Sequence, residues 1–196
     1  IDDSVLVRQC KSGDTASMQR LIVKYQDRIY NVILKICSNK EDAAELTQET
    51  FVKVIEKIGS FRADSGFYTW LFRIAVNTTL NYCKRRFKVP MQSIDSSSAD
   101  DETVKKQLCD YLADERAIDP VAVAHNKDIG LVIEKALSRL EDHQRAVVVL
   151  RDIEGMSYAE IGESLEMELG TVKSRLSRGR ECLRRILKQE TSIENL

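Results

Sequence analysis

The chain has 196 residues, of which 43% are hydrophobic and 31% are charged, and its formal net charge is −1. This length allows one medium domain or two small ones and excludes a large multidomain enzyme. Only 8 Gly and 2 Pro are available for turns, which disfavours a sandwich or barrel of many short strands and favours an all-α fold. No apolar run approaches the roughly 20 residues that a membrane-spanning helix needs.

The cysteines give no sign of a metal site or a disulfide framework. They are odd in number and widely scattered, at Cys10, Cys37, Cys83, Cys109 and Cys182. No CxxC pair occurs, and the chain has only two histidines, so no zinc-ligand spacing is present. We therefore predict no metal or cofactor, and reduced thiols of the kind found in cytoplasmic proteins.

The small net charge conceals an uneven distribution along the chain. Residues 1–94 carry 15 Lys and Arg against 10 Asp and Glu, whereas residues 95–126 carry 3 against 8. Further on, residues 171–188 hold 7 basic residues and one acidic residue. Two basic blocks separated by an acidic connector indicate two modules that face a polyanion.

The acidic connector has the composition of a linker. It contains three consecutive serines at 96–98 and three consecutive acids at 100–102, and it shows no sustained apolar stripe. We therefore predict two small helical domains joined by a flexible acidic linker. The predicted boundaries are 1–88 for the first domain, 89–126 for the linker, 127–190 for the second domain and 191–196 for a tail.

In the first domain, Asp14 is a good N-cap for a helix that runs to about Cys37. Its apolar residues recur at spacings of three and four, which one buried face requires. A second helix is predicted from about Glu41 to Ile58. Its inward residues are predicted to be Leu46, Phe51, Val54, Ile55 and Ile58.

The third predicted helix follows a loop over residues 61–70 and ends near Phe87. One of its faces carries a ring, amides and cations, at Trp70, Arg73, Asn77, Asn81 and Lys84. Such a face suits nucleic acid, because rings stack on unpaired bases and cations neutralise phosphates. The residues alone nevertheless favour the alternative that the rings seal a small helical bundle while the cations remain solvated.

The second domain is predicted to begin with helices at about 129–140 and 142–153. The apolar run at 147–150 could also be a buried strand, but the helices around it favour a helix. Ser157 and Glu160 have the spacing of a capping box that opens a short helix. Thr171 is predicted to cap a final helix that ends near Leu187.

The final helix separates into two faces. Its inner stripe is predicted to be Val172, Leu176, Gly179, Leu183 and Leu187, with Lys, Ser and Arg opposite. A short helix, a tight turn and a longer helix with outward polar residues near its start are typical of a helix-turn-helix, whose second helix enters the major groove. The alternative is an ordinary basic amphipathic helix.

Four segments, which make up three motifs, resemble bacterial RNA polymerase sigma factors of the extracytoplasmic-function (ECF) group, closest to the sigma-E type. Residues 42–51 (DAAELTQETF) are similar to the helix with which the family binds core polymerase, and residues 61–77 (FRADSGFYTWLFRIAVN) to its −10 recognition segment. Residues 155–162 (GMSYAEIG) and 170–180 (GTVKSRLSRGR) are similar to its −35-binding motif. In family terms, the two domains are sigma region 2 and sigma region 4.

The resemblance implies three sets of site residues. Those that would dock on core polymerase are Asp42, Glu45, Gln48, Glu49 and Phe51. Those that would hold the melted −10 strand are Asp64, Phe67, Tyr68, Trp70, Arg73, Asn77, Lys84 and Arg85. Those that would bind the −35 element are Lys173, Ser174, Ser177, Arg178 and Arg184, of which Arg184 is better placed for the DNA backbone. Sigma-E-type relatives often carry a bulky residue at the position of Ser177, so the −35 preference is expected to differ.

The resemblance also implies a function without catalytic chemistry. The protein would bind core polymerase, through the clamp helices of the largest subunit and the flap of the second-largest, and would direct initiation at promoter DNA. It implies no small-molecule substrate. It further implies a cytoplasmic location and regulation by an anti-sigma factor, which in this family can hold the protein at the inner face of the membrane.

Three rival hypotheses remain open at the level of sequence. A stand-alone helix-turn-helix repressor would share the second domain but not the aromatic loop or the acidic helix. A nucleic-acid enzyme is disfavoured, because no Gly-rich phosphate loop and no paired acids at metal-binding spacing occur. A thiol redox sensor is conceivable at Cys83, beside Lys84 and Arg85, although a buried structural cysteine is the simpler interpretation.

Overall fold

The computed structural model describes residues 2–86 and 130–193, and every regular element in these two ranges is a helix. The described residues form two compact units, whose main bodies are residues 2–86 and residues 130–162 with 167–193. The first unit contains α1 (Asp3–Lys11), α2 (Thr15–Cys37), α3 (Lys40–Lys57), a short 3₁₀ turn (Ile58–Ser60) and α4 (Phe67–Arg86). The predicted all-α fold with two helical domains is confirmed. The predicted linker, 89–126, lies outside the described residues.

Helix α2 is the centre of the first unit and packs against α1, α3 and α4. It begins as predicted, because the carboxylate of Asp14 accepts the Ala16 N–H at 3.0 Å and the Ser17 hydroxyl at 2.6 Å. The predicted apolar face is buried, with Ile29 and Ile33 fully enclosed. The Asp14 cap therefore identified the start of this helix, and spacing identified its buried side.

Helix α3 begins at Lys40, where the Asn39 side chain accepts the N–H groups of Glu41 and Asp42. Phe51 and Val54 are buried as predicted, but the inward placement of Ile55 is wrong, because 51% of this residue is exposed. At about 100° per residue, Ile55 falls past the edge of the buried arc that faces α2 and α4.

Helix α1 was not predicted from the sequence. Asp2 caps this helix by accepting the Ser4 N–H and hydroxyl, and Leu6, Val7 and Cys10 are its buried residues. Its first turn is tied to α2 through Asp3, which accepts hydrogen bonds from the Lys24 ammonium and the Tyr25 hydroxyl. Only nine residues long, α1 shows too little periodicity to be predicted alone.

Helix α4 begins earlier than predicted. The Trp70 N–H donates to the Gly66 carbonyl at 3.1 Å, which closes a first helical turn where a loop was expected. The loop is therefore limited to residues 61–66, and the rings of Phe67, Tyr68 and Trp70 are carried by the helix. A helical turn fixes the directions of these side chains relative to one another more firmly than a loop would.

Within residues 130–193, the second unit contains four helices. They are α5 (residues 130–138), α6 (Asp142–Val148) extended by a π-helical turn (Val149–Ile153), α7 (Tyr158–Leu165) and α8 (Leu169–Ile193). The apolar run at 147–150 is helical and fully buried, so the strand alternative is excluded. Helix α8 packs along α6.

A buried arginine closes α5. Arg145 is 6% exposed, and its guanidinium donates to the carbonyl oxygens of Leu137 (2.7 Å), Ser138 (2.9 Å) and Leu140 (2.7 Å). The first two carbonyls belong to the last turn of α5, where carbonyls lose their usual partner four residues on, and the third lies just after the helix. Arg145 therefore joins α6 to the end of α5 by satisfying them.

Helix α7 begins with the predicted capping box. The Ser157 N–H donates to the Glu160 carboxylate at 2.8 Å, and the Glu160 N–H donates to the Ser157 hydroxyl at 3.2 Å. The predicted N-cap at Thr171 is wrong, because α8 already begins at Leu169 and continues to Ile193, beyond Leu187. The Val172 N–H donates to the Glu168 carbonyl, and this hydrogen bond extends the helix upstream of Thr171.

Candidate nucleic-acid and protein interfaces

The first half of α8 presents a polar, basic outer face. Lys173, Ser174, Ser177 and Arg178 are all exposed, whereas Val172, Leu176, Gly179 and Leu183 on the opposite face are buried. Because the four exposed residues recur at spacings of one, three and four, they form one surface about two turns long. The structure thus brings together four of the five residues predicted to bind the −35 element.

Arg184, the fifth, lies further along the helix. Its side chain is 17% exposed and pairs with Glu181 at 2.5 Å. At 1.5 Å per residue it is about 9 Å beyond Arg178 along the helix axis. Its predicted contact with the DNA backbone stays a prediction.

A tight turn connects α7 to α8. The Met167 N–H donates to the Gly162 carbonyl at 2.9 Å, and Glu166 adopts a left-handed φ of +54°. A Cβ atom at Gly162 would lie 2.9 Å from the Met167 carbonyl oxygen, so the turn has no room for a larger residue there. This close turn completes the helix-turn-helix and holds the start of α8 outward.

A buried ion pair behind the outer face was missed by the sequence analysis. The Arg180 guanidinium donates to both carboxylate oxygens of Asp152, from Nη2 at 2.6 Å and from Nε at 3.0 Å. The helical period could have revealed that Arg180 points inward, because it falls beside the inner stripe, but not that Asp152 is its partner.

In the first unit, six aromatic rings form a connected cluster. The Trp70 ring lies 5.0 Å from the Phe61 ring and 5.8 Å from the Phe67 ring, and the Tyr68 ring lies 4.3 Å from that of Phe72. Tyr25 joins the cluster through Phe67 and Tyr68. The Arg28 guanidinium lies over the Tyr68 ring, 4.5 Å from its centroid. The structure therefore brings the predicted −10 rings together, in contact with the rings of Tyr25, Phe61 and Phe72.

These rings differ in accessibility. Tyr68 and Trp70 are half-buried, whereas Phe67 is 7% exposed. Because Phe67 packs inside the unit, its burial disfavours the contact with DNA that was expected of it. That expected contact stays a prediction.

The remaining residues predicted for the −10 strand follow the loop and one side of α4. Asp64, Lys84 and Arg85 are exposed, and Arg73 and Asn77 are half-buried. The start of the loop is anchored by α1, because the Lys11 ammonium donates to the Phe61 carbonyl and lies 5.7 Å from the Phe61 ring. The sequence analysis missed this anchor, because it missed α1.

The outer face of α3 is acidic with an apolar edge. Glu45, Gln48 and Glu49 are exposed, and Glu49 pairs with Lys53 at 2.6 Å. Val52 and Ile55, which were not predicted to belong to this surface, are 53% and 51% exposed. We call these five residues the α3 face.

Two other residues predicted to dock on core polymerase have partners within the unit. Phe51 is 8% exposed and packs in the core, as its predicted inward orientation requires. The Asp42 carboxylate accepts a hydrogen bond from the Arg86 guanidinium at the end of α4. The hydrogen bond with Asp42 also raises the pKa of the Tyr82 hydroxyl. Their predicted contacts with polymerase stay predictions.

Other kinds of site find little support in the described parts of the chain. No group of His, Cys, Asp and Glu residues there could hold a metal ion. Cys83, the candidate redox thiol, is 1% exposed. None of the helices described has the length and apolar character needed to cross a membrane.

Comparison with known proteins identifies both units. Residues 21–88 match the family model for Sigma-70 region 2, and residues 131–183 match the model for Sigma-70, region 4. The chain is 33% identical over 187 residues to an RNA polymerase sigma-H factor of Pseudomonas aeruginosa, covering 94% of this chain and 93% of that one. It is 30% identical over 184 residues to the ECF RNA polymerase sigma-E factor of Escherichia coli, covering 93% of each.

Solved structures show the same fold. CnrH in complex with the cytosolic domain of CnrY matches with a TM-score of 0.65 at 22% identity, covering 95% of this chain and 97% of that one. The sigma factor RpoE of Bartonella quintana, in complex with the anti-sigma factor NepR, matches with a TM-score of 0.62 at 23% identity, covering 87% and 96%. The region 2 match contains the aromatic cluster, and the region 4 match, which follows it along the chain, contains the helix-turn-helix. The chain therefore belongs to the bacterial RNA polymerase sigma factors of the extracytoplasmic-function group, non-catalytic factors that direct the polymerase to promoters.

Proposed function

We propose that this sigma factor reads the −35 element with the outer face of α8 and holds the melted −10 strand on the loop at 61–66 and the adjacent side of α4. The observation that carries the proposal is the outer face itself. Four polar or basic side chains project from the start of a helix-turn-helix recognition helix, opposite a buried apolar stripe. This is the arrangement that places side chains against base edges in the major groove.

At the −35 element, Arg178 and Ser174 would contact base edges. A guanidinium can donate to both O6 and N7 of guanine, and a serine hydroxyl can donate or accept with several bases. Ser177 is small, so it would leave an unfilled space between α8 and the bases at a position where a bulky residue would contact the groove. Lys173 and, further along, Arg184 would neutralise phosphates and set the register of α8 on the duplex.

At the −10 element, the accessible rings would capture unpaired bases. Stacking of a base on an aromatic ring is worth about 1–3 kcal/mol, which offsets part of the cost of unstacking that base from the duplex. Asp64 would line the pocket for a flipped base. The strand would then run past Tyr68, Trp70, Arg73 and Asn77 toward the cationic end of α4 at Lys84 and Arg85.

The α3 face would dock on the clamp helices of the largest polymerase subunit. Its exposed carboxylates, at Glu45 and Glu49, would meet a basic partner, and Val52 and Ile55 would provide the apolar contact that a stable interface needs at its centre. Asp42 would extend this surface, and Phe51 would hold it rigid from within the core. The second unit would dock on the flap of the second-largest subunit.

We also propose an anti-sigma factor as a regulatory partner. Two solved structures with this fold are complexes, one with the anti-sigma factor NepR and one with the cytosolic domain of CnrY. A partner of this kind would cover the surfaces that bind polymerase and DNA. The sigma factor would then act in the cytoplasm, where the polymerase works, and could be held at the inner face of the membrane if its partner were anchored there.

In vitro transcription with purified core polymerase tests the proposal. The wild-type protein and core enzyme would be given a template pool in which the −35 and −10 elements are randomised separately. We expect selected templates to share one sequence in each element, and an Arg178→Ala variant to relax the choice at −35 only. Selection at −10 alone would overturn the assignment of α8. Binding of palindromic duplex without polymerase would instead support a repressor.

A further inference from the structure

The ion pair between Arg180 and Asp152 is an unusual feature for the interior of so small a unit. The Asp152 side chain is fully buried and the Arg180 side chain is 5% exposed. Nη2 and Nε of the guanidinium lie 2.6 Å and 3.0 Å from the two carboxylate oxygens, which is a bidentate geometry. Asp152 is in the π-helical turn after α6, and Arg180 is in the middle of α8.

Stability alone is a weak explanation for such a pair. Removing two charges from water costs several kcal/mol per ion, and buried pairs can often be replaced by apolar residues without loss. Such a pair does restrain orientation, because two parallel hydrogen bonds between planar groups fix both the distance and the relative orientation of the backbone segments that carry them. Here those segments are the π-helical turn and α8.

The residue before Arg180 makes a second close contact with the same neighbour. A Cβ atom at Gly179 would lie 2.8 Å from Cγ2 of Val148 and 3.4 Å from the Gln144 carbonyl oxygen. The backbone of α8 therefore approaches α6 as closely as glycine permits. The close approach sets the distance between the helices, and the ion pair next to it restrains the rotation of α8 about its own axis.

Rotation of α8 matters because Arg178, on the outer face, is carried by the same turn of the helix as Arg180. The two residues are two positions apart, so their side chains are about 160° apart around the helix axis. With a radius of about 6 Å including side chains, a rotation of roughly 15° moves the outer atoms by about 1.5 Å. That displacement exceeds the whole range of donor–acceptor distances in a hydrogen bond, which is about 0.5 Å wide.

We propose that the Asp152–Arg180 pair is a positioning device for promoter recognition, which orients α8 so that its outer face reads the −35 element. Neither residue touches DNA. The inference rests on the proposed function of α8. It assigns a role in specificity to two buried residues, one on the inner side of α8 and one on the element packed against it. Loss of the pair reduces discrimination between −35 sequences more than it reduces binding to duplex DNA in general.

The decisive variant replaces both charges by apolar residues of similar size, Asp152→Leu with Arg180→Met. Paired replacement of a buried ion pair is tolerated or stabilising, so the double variant is expected to melt at or above the wild-type temperature. Holoenzyme made with it would be tested on a reference promoter and on templates with single base-pair changes at −35. We expect the preference for the reference to fall about tenfold at the positions that α8 reads.

A merely structural pair would give a different result. If the double variant is as stable as the wild type and discriminates −35 sequences equally well, the positioning role is overturned. The salt dependence of binding is the second measurement, and it is expected to stay unchanged because no phosphate contact is lost. The matched control is Arg139→Met, which removes an exposed arginine after α5 and is expected to leave the preference unchanged.

Two further outcomes have defined meanings. If the double variant melts below the assay temperature, Arg180→Lys decides, since it keeps the charge but not the planar fork. A reduced preference in that variant supports the proposal, and a wild-type preference overturns it. If the wild-type holoenzyme itself shows no −35 preference, the proposed function of α8 fails, which is distinguishable from failure of this inference.

Discussion

Arg178 and Arg180 are two residues apart on α8 and have different surroundings. Arg178 is exposed on the outer face, whereas Arg180 is 4% exposed and bonded to Asp152. The helical period explains the difference, because a step of two residues turns a side chain by about 200°. Identical residues therefore have different surroundings, one on the exposed outer face and the other in the core.

Arg178→Ala is expected to weaken promoter binding at particular −35 positions, by about 1–3 kcal/mol where the guanidinium pairs with a base. Footprinting by holoenzyme on a panel of −35 templates measures the loss at each position. Arg184→Ala is the comparison, because loss of a phosphate contact should weaken every template alike. An equal loss on every template with Arg178→Ala would reassign that residue to the DNA backbone.

Tyr25 is expected to make the stability of the first unit sensitive to alkaline pH. Burial, followed by the hydrogen bond to the Asp3 carboxylate, raises the pKa of the Tyr25 hydroxyl. The unfolded pKa is about 10, so above that pH the unfolded chain releases a proton that the folded chain still holds. The stability that this proton provides is complete below pH 10 and is lost as the pH rises toward the folded pKa.

Tyr25→Phe should remove this dependence. Urea unfolding at about pH 8 and about pH 11 measures the free energy of unfolding for both proteins. We expect the wild type to lose more stability than the variant between these two pH values, because the variant has no hydroxyl to titrate. Equal losses would show that the pKa of Tyr25 is not raised by folding.

At the scale of elements, the second unit depends on close approach of α8 to α6. Gly179 permits this approach, and the π-helical turn that follows α6 carries Asp152 to Arg180. π-Helical turns are rare and frequently occur at functional sites. The geometry of α8 is therefore determined by the elements behind it as well as by the turn before it.

Gly179→Ala is expected to destabilise the second unit by about 1–3 kcal/mol, because the new Cβ atom would overlap Val148 and force the helices apart. Gly170→Ala is the matched control on the same helix, since a Cβ atom there meets nothing within 4 Å. Alanine is the better helix former, so the control should be neutral or slightly stabilising. Thermal unfolding compares the two variants, and equal melting temperatures would contradict the close approach.

At the scale of the whole molecule, the first unit presents two working surfaces on adjacent helices. The α3 face is acidic and apolar, and the side of α4 that we propose for the −10 strand is aromatic and basic. Lys53 connects the two helices, because its ammonium pairs with Glu49 and donates to the Thr78 hydroxyl at 3.1 Å. One compact bundle can in this way hold a protein partner and a nucleic-acid strand at once.

Glu49→Lys should weaken association with core polymerase by about tenfold or more, because it reverses a charge that is expected to meet a basic partner. Co-elution with core enzyme over a range of concentrations measures this loss. The control is Asp27→Lys, which makes the same charge change on α2 and should bind normally. Normal association of the Glu49 variant, with its helical content intact, would contradict docking through α3.

Much of the element structure was predictable because its causes are local. The start of α2 follows from the Asp14 cap, the start of α7 follows from the capping box, and the inner stripe of α8 follows from its spacing. The family could also be identified from contiguous motifs. Each of these signals is contained within a few turns of one helix, so the order of residues is sufficient to determine it.

What the sequence by itself determined is thus the all-α class, the two helical domains and the polar face of α8. The tertiary structure alone decided that Ile55 is exposed, that Phe67 is buried and that Lys11 anchors the loop at Phe61. It also decided that Asp152 and Arg180, 28 positions apart, form a buried pair. The physical reason is that burial and pairing depend on which helices pack together, and such contacts between distant residues leave no periodic trace in the chain.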